Sequence, residues 1–575
     1  MESKWMLYTK RADFEKISAR FHISPVLARI IINRDIKEED FSLYLKSDLS
    51  LMHDAGRLYG VEDAYNEIMS EIKKGNKIRV VGDYDIDGVC SSYILVKSLK
   101  RFGANADVRI PDRIKDGYGI NDNIINEAAN DKISMIITCD NGIAAHSQME
   151  LAKKLGIKVI ITDHHEVYQE DGKDYLPVAD VVINPKRSEC KYPFKSICGA
   201  LVAYKLMEYM FERLYGKKMY EDGELSDLLE VAAIATIGDV MPLVDENRVL
   251  VKHGLKSLMN TKNLGLRALI KATGMEGKKI SAYSIGFVIG PCLNAGGRLE
   301  NALVALNMFM SESSDEANEY AMHLKELNDE RKDLTAMNVK VAVELAEREY
   351  ADDDILVIYL ENCHESIAGI IAGRVREALG KPTIILTDAF GEDGMIKGSG
   401  RSIESYNMFE ALYEVKDIFE KFGGHHMAAG MSLKKDRLDE FRKRLNENSK
   451  LTKEDFIQKI WIDVPLPFSY ISHDFVRELE KLEPYGNKNE KPKFARKGIK
   501  ILSKNILGKN KNVVKMVLED DGTRLDGIYF CDGEAFFEEL KGNNEIDIIY
   551  YPDINEYGGR ESLQVIITGY KIKNI

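Results

Sequence analysis

Between residues 77 and 163 the hydrophobic pattern switches between two periods. Short runs rich in valine and isoleucine, "KIRVVGD", "ADVRIP", "SMIITCD" and "IKVIITD", read as strands. The stretches between them, "GVCSSYILVKSLKRFG", "NDNIINEAANDK" and "AAHSQMELAKKLG", read as helices. That alternation predicts an α/β fold with a parallel sheet covered on both faces. Upstream, residues 1–70 read as a mixed helical region, with "SPVLARIIINRDI" and "VEDAYNEIMSEIKKG" as its clearest segments. Residues 313–350 are charged and lack Gly and Pro, which predicts one or two helices joining domains. Their apolar heptad is too irregular to favour a coiled-coil dimer. A second, smaller α/β unit is expected over 351–450. Short strands separated by turn signals over 456–575 predict a small antiparallel barrel. The first α/β region therefore spans about 71–312.

Three of the predicted strands end in an acid: Asp83, Asp140 and Asp163, the last followed by His164 and His165. In a parallel sheet, ligands bind outside the carboxyl ends of the strands, so adjacent strands would bring these groups to one edge. A further predicted helix, "SDLLEVAAIATIGD", delivers Asp239. The stretch "GDYDIDG" raises its own question. If it were extended, Asp83, Asp85 and Asp87 would share one face, and solvent, basic side chains or metal ions would have to offset their repulsion. Each acid taken singly is a common cap or turn former. As a set, five carboxylates with His164 suit manganese or magnesium better than zinc. They are too many for one ion. Two bridged ions could use them all, lowering the pKa of a bound water and holding the attacking and leaving oxygens of a phosphoester.

Glycine-rich loops add candidate anion sites: Arg113 in "PDRIKDGYGIN", Arg298 in "NAGGRLEN", and Ser399 with Arg401 in "KGSGRS". Tight turns are the plainer reading of each loop alone. The net charge of −13 argues mildly against nucleic-acid binding. Its distribution changes that picture, because residues 491–515 hold nine Lys or Arg and no acid. This is either a solvated lysine face or a strip that tracks phosphates, and together with the strand count it fits an OB-like barrel. Phe494, Tyr529 and Phe530 are candidates for base stacking or for the barrel core. The seven cysteines are scattered with no Cys-x-x-Cys pair, which argues for reduced thiols and against a zinc knuckle. The start, "MESKWMLYTK", has no apolar signal core, and no apolar run reaches membrane length, so a cytoplasmic protein without membrane association is expected.

In chain order, "GDYDIDG", "TCDNGI", "DHH" with a later "NP", and "GDVMPLVDENR" resemble the four phosphoesterase motifs of the DHH superfamily. "HESIAGIIAGRV", "KGSGRSI" and "FGGHHMAAG" resemble its DHH-associated domain. "LEPYGNKNEKPKF" with the strands after it, "SPVLARIIINRDI" and "GPCLNAGGRLEN" are similar to the RecJ single-stranded-DNA exonucleases, so the resemblance covers nearly the whole chain. It implies a DHH domain joined by the long helix to a DHH-associated domain and followed by an OB domain. The implied activity is 5′→3′ degradation of single-stranded DNA to 5′ mononucleotides with manganese or magnesium, in recombination and repair. One ion would sit near Asp83, Asp85 and Asp140, and the other at Asp87, Asp140, His164 and Asp239. His165 would lie beside the scissile phosphate. Arg113, Ser399 and Arg401 would hold the 5′ phosphate, and Arg298 and His425 would line the substrate path. A single-strand-binding protein and a helicase are the implied partners of a monomeric enzyme.

The chain departs from the family pattern at "ENCHESIAG", with Asn362, Cys363 and Ser366. Two competing readings belong to the same superfamily. One is an oligoribonuclease, cyclic-dinucleotide phosphodiesterase or pyrophosphatase, which would generally lack the OB domain. The other is a replication scaffold, which would be expected to lose metal ligands.

Overall fold

The computed structural model describes residues 3–572. The chain folds as two compact units, one made of residues 53–241 and 253–458, the other of 3–52, 242–252 and 459–572.

The first unit is built on two sheets. In the first sheet the strand order is Asn105–Arg109, Lys77–Val81, Met135–Cys139, Lys158–Thr162 and Val181–Ile183, with every pair parallel. Every residue of Met135–Cys139 is buried, as expected of a strand covered on both faces. The three strands that lead into Asp83, Asp140 and Asp163 are consecutive in that order, so their carboxyl ends share one edge.

A single helix of 36 residues, Ser314–Glu349, follows. The Ser313 side chain caps it by accepting from the Glu316 N–H, and Asp315 and Glu316 in its first turn complement the helix dipole. Ala317, Ala321, Leu324 and Leu327 are buried near its start, and Ala342 and Ala346 near its end. The second sheet is mixed, in the order Phe419–His425, Ala428–Lys434, Met395–Arg401, Thr383–Asp388 and Leu356–Tyr359. Only the pair of Leu356–Tyr359 with Thr383–Asp388 is parallel.

In the second unit, five strands close a barrel. Phe494–Leu507 pairs with both Val513–Asp520 and Glu545–Tyr557, and Thr523–Phe530 and Arg560–Ile572 complete the ring. The expectation of a wholly antiparallel barrel is corrected at one seam, where Thr523–Phe530 runs parallel to Arg560–Ile572. The reason is arithmetical: an odd number of strands in a closed ring cannot alternate direction at every pair. The helix Gly533–Leu540 lies in the crossover that makes this seam.

The barrel core includes Phe494, Val514, Leu518, Ile548 and Val565, and it is continuous with Leu27, Ile30 and Ile31 of the helix Pro25–Asn33. The N-terminal helical stretch is thus divided, with residues 3–52 in this unit and the helix Val61–Lys74 in the other. Arg248, fully buried, stacks on Tyr44 and donates to the carbonyls of Tyr44, Lys481 and Leu482. Among the described residues no helix is long and apolar enough to cross a membrane.

Candidate metal centre and phosphate cleft

The three aspartates of "GDYDIDG" do not share a strand face. The strand ends at Val81 and a helix begins at Ile86, so each acid takes a different local role. Asp83 lies buried just past the strand and accepts from the Gly119 N–H at 3.3 Å. Asp85 caps the helix, accepting from the N–H groups of Asp87 and Gly88. Asp87, inside the first turn, accepts from the Gly199 and Ala200 N–H groups at 2.6 and 2.8 Å, which begin the helix Gly199–Tyr215. Gly88 ends the motif for a steric reason: a Cβ there would sit 2.4 Å from the Asp83 carbonyl oxygen.

Asp140 follows its strand in a left-handed conformation, φ 60°, which aspartate tolerates better than most residues. Asp239 ends the helix Leu228–Gly238. His164 gathers these groups, with its Nε2 3.1 Å from Asp140, 3.6 Å from Asp87 and 3.7 Å from Asp239. Three sets of donor atoms lie close enough to hold ions: Asp83, Asp85 and Asp140; Asp87, His164 and Asp239; and Asp140, His164 and His165.

The electrostatics of the set are unbalanced. Among the described residues, no lysine or arginine pairs with any of the five carboxylates. Burial, then the charge of Asp85, pushes Asp83 up to about 8. Burial, then Asp87, does the same for Asp239, also to about 8. Asp87 and Asp140 are raised as well, by burial first. His164 is lowered by burial, so its imidazole is neutral at pH 7 and available as a ligand. The buried Asp140 Oδ1 and His164 Nδ1 have no hydrogen-bond partner. A carboxylate-rich pocket with orphaned buried polar atoms, a neutral imidazole and no lysine or arginine paired to its acids has the donor chemistry of a divalent metal centre.

His165 has a different environment and is nearly half exposed. Burial opposes its charged form, but the hydrogen bond to Asp163, 2.7 Å, and that residue's charge outweigh it and lift His165 to about 9. Asp163 also accepts from the backbone N–H groups of Ile143, His164 and His165. Its role is to orient the histidine pair. Tyr118 donates to the Asp140 carbonyl and lies 3.3 Å from His165. Sequence reasoning placed Asp163 at the sheet edge without a task and passed over Tyr118, although "GYG" signalled a close backbone turn.

Next to this centre is a cleft of about 460 Å³, lined by Tyr84, Arg113 and Tyr118 from one α/β half and by Ser366, Ser399 and Phe422 from the other. The Arg113 guanidinium stacks 4.7 Å over Tyr84. Arg401 donates to the Ser399 hydroxyl at 2.8 Å. Both lie against the first turn of the helix Ala368–Leu379, where a Cβ on Gly369 would come within 2.7 Å of Arg401 and 2.9 Å of Ser399. A helix N-terminus, a guanidinium and a hydroxyl together make an anion site. Arg298 donates to the Ser366 carbonyl at 2.7 Å. Burial, then the nearby Arg113, lowers Arg298 to about 10. The variant stretch 361–369 thus forms part of the cleft wall: Asn362 is left-handed, the Cys363 carbonyl accepts from Thr387, and Ser366 bonds to His364. His425 is exposed at the end of its strand and is not among the residues lining the cleft.

Of the aromatics singled out in the barrel, Phe494 is core and Tyr529 packs against it, while Phe530 is exposed. Five of the nine basic residues over 491–515 are paired: Lys493 with Glu490, Arg496 with Asp520 and Asp521, Lys500 with Glu519, Lys511 with Glu534, and Lys515 with Asp526.

Three family models match the chain: the DHH family N-terminal domain over residues 77–236, the DHHA1 domain over 352–450, and the RecJ OB domain over 462–569. The chain is 36% identical to the single-stranded-DNA-specific exonuclease RecJ of Bacillus subtilis, over 99% of this chain and 71% of that protein. It is 32% identical to the protein of the same name from Escherichia coli, over 95% of each. Among solved structures, RecJ of Thermus thermophilus in complex with Mn2+ superposes with a TM-score of 0.84 at 25% identity, covering 100% of this chain and 80% of that one. An exonuclease RecJ bound to manganese matches with a TM-score of 0.59 at 30% identity, covering 69% of this chain and 96% of that one.

Proposed function

This chain belongs to the RecJ family of single-stranded-DNA-specific exonucleases, and from that premise we propose how its residues carry out the reaction. The enzyme degrades single-stranded DNA from the 5′ end, releasing 5′ mononucleotides in recombination and repair. Asp83, Asp85 and Asp140 would hold one manganese or magnesium ion, and Asp87, Asp140, His164 and Asp239 would hold the other. Bound there, the ions supply Lewis-acid stabilisation of the phosphoryl oxygens and a water of lowered pKa.

The chain's own residues do the rest. Ser399, Arg401 and the first turn of the helix Ala368–Leu379 bind the 5′ phosphate, and Arg113 reaches it from across the cleft. This fixes the terminal nucleotide so that its 3′ phosphodiester meets the acid cluster. His165, oriented by Asp163, presents a proton donor beside the scissile phosphate. Arg298 lines the substrate path, and His425 lies farther along it. The OB domain holds the incoming strand. The protein works as a cytoplasmic monomer, with a single-strand-binding protein and a helicase supplying its substrate, and its domains run over 71–312, 351–450 and 456–575. The carrying observation is that an acidic cluster with no lysine or arginine paired to it and a cleft lined by Arg113 and Ser399 adjoin within one unit.

A nuclease assay tests this on internally labelled single strands carrying 5′-phosphate, 5′-hydroxyl or blocked ends, beside a blunt duplex, with manganese, magnesium or chelator. Mononucleotides should appear only from free 5′ ends of single strands, and only with metal. Arg401→Ala should narrow the preference for 5′-phosphate over 5′-hydroxyl by about 10- to 100-fold, the worth of a charge-assisted hydrogen bond. Cleavage of dinucleotides alone, with long strands untouched, would return the chain to the small-substrate branch of the superfamily.

A further inference from the structure

The helical stretch from Ala282 to Leu299 borders the acid cluster along its length. At its far end Gly297 passes so close to the Tyr84 carbonyl that a Cβ would lie 2.1 Å from it, and the next residue is Arg298 of the substrate path. In the middle, the Asn294 side chain accepts from the Ile86 N–H at 2.9 Å, between Asp85 and Asp87. At the near end Gly286 packs beside Ile237, two residues before Asp239. The helix thus runs from the phosphate cleft, past the metal-binding backbone, to the side of Asp239.

At that near end two aromatic rings stand in solvent. Tyr283 is 68% exposed and Phe287 61%. Their ring centroids are 4.7 Å apart at an interplanar angle of 26°, so the two rings stack on each other and form one preorganised aromatic stack whose outer face is open to a base. Their neighbours Ile285 and Ile289 are buried and fix the helix in place. The turn that carries Phe287 is π-helical, Ile285–Ile289, a local widening that is frequent at functional sites. Solvent-exposed rings of this size have no stabilising role in a core. From Phe287 to Arg298 the helix rises about 16 Å, the reach of a few nucleotides.

We propose that Tyr283 and Phe287 form a base-stacking platform for the DNA strand on the 3′ side of the scissile bond. The proposal rests on the polarity given above, in which the 5′ end occupies the Arg113–Ser399 cleft. The strand then continues past the metal cluster towards the Asp239 side, where its bases meet the two rings. Stacking is indifferent to sequence because every base has a π-face, which suits an enzyme that must advance along any strand. The platform would hold the strand in place between successive cleavages.

The test uses the full chain with manganese and 5′-phosphorylated single strands of graded length. In Tyr283→Ala/Phe287→Ala the KM for long strands should rise about tenfold or more, and the deficit should shrink with length until it vanishes for a dinucleotide that ends before the rings. Tyr283→Phe/Phe287→Tyr should restore the long-strand KM. A second measurement changes the DNA: abasic sites at the positions that reach the platform should raise the wild-type KM, and should add nothing to the defect of the alanine variant. An unchanged long-strand KM, or abasic sites that penalise both proteins equally, overturns the proposal. A wild-type protein that leaves single strands intact overturns the exonuclease reading instead.

Discussion

The acid cluster and the lysine-rich strands of the barrel treat charge in opposite ways. In the cluster, five carboxylates are brought together by strand ends and helix termini with no lysine or arginine paired to them among the described residues. In the barrel, residues 491–515 look strongly basic along the chain, yet five of the nine cations sit against acids, four of them from later segments of the chain and one, Glu490, just before the run. The linear sequence ranks the second region as the more conspicuous charge run. Folding reverses that ranking, because what a site offers to a ligand is the charge left over after local pairing. Exposed ion pairs contribute little to stability and offer little net field. A buried, unpaired cluster is costly to keep and persists where a ligand of opposite charge completes it.

The hardest test of this comparison is Asp140. Its Oδ1 is buried without a hydrogen-bond partner, so truncating it breaks no hydrogen bond to that atom while removing the ligand shared by both proposed ions. Asp140→Ala should lose at least about 10³-fold in kcat, with DNA binding and fold retained. Alanine at φ 60° also carries a backbone cost of about 1 kcal/mol. Asp140→Asn avoids it, since asparagine tolerates the left-handed region, and should lose the same activity. Near-native turnover by either variant would remove the two-ion scheme.

That prediction draws on residues readable from the chain alone. Asp83, Asp140 and Asp163 were legible because a parallel sheet fixes where strand ends go, and strand order alone decides whether they meet. Asp85 and Asp87 were legible as acids but not as geometry. The helix starts at Ile86, two residues before the glycine that marked its expected beginning, and so the carboxylates point by capping and helix position, with no strand face involved. Asp163 and Tyr118 could not be assigned in advance, because their roles consist of contacts to His165 across 2 and 47 residues that no local pattern encodes. The parallel seam of the barrel followed from closure, which is a property of the whole ring. The fate of the lysines depended on long-range neighbours such as Asp526 and Glu534.

A second test uses the cost of the unpaired cluster. Burial and Asp85 raise Asp83 to about 8 in the folded, metal-free chain, against an ordinary carboxylate value near 3.8. A carboxyl raised on folding favours the folded state fully below its unfolded pKa, and that contribution is lost as pH rises through the folded value. The chelated protein should therefore lose stability between about pH 4 and pH 8. Asp83→Asn removes the titration. In chelator at pH 8 it should melt a few degrees above wild type, at about 1.4 kcal/mol for each pKa unit relieved, and the gap should close by pH 4. Manganese should reverse the order, because only the wild type regains a ligand. A variant less stable than wild type in chelator at pH 8 would show that the cluster is compensated after all.

The smallest effects should separate the barrel cations from one another. Lys497 and Lys509 are exposed, and among the described residues neither has a carboxylate partner. Lys511 and Lys515 are held by Glu534 and Asp526. All four lie in the same run, so composition treats them alike. If leftover charge is what meets the DNA backbone, Lys497→Ala/Lys509→Ala should reduce the slope of log affinity against log salt by about 0.7 for each phosphate that is no longer neutralised. Lys511→Ala/Lys515→Ala removes the same formal charge but should leave that slope nearly unchanged, because a cation already neutralised by a carboxylate displaces no counterion from DNA. Affinity measured for single-stranded DNA across a salt series, with Asp140→Asn as background to prevent cleavage, reads both variants directly. Equal slopes for the two pairs would mean that the ion pairs open on binding, and the contrast between the cluster and the strip would then lie in burial alone.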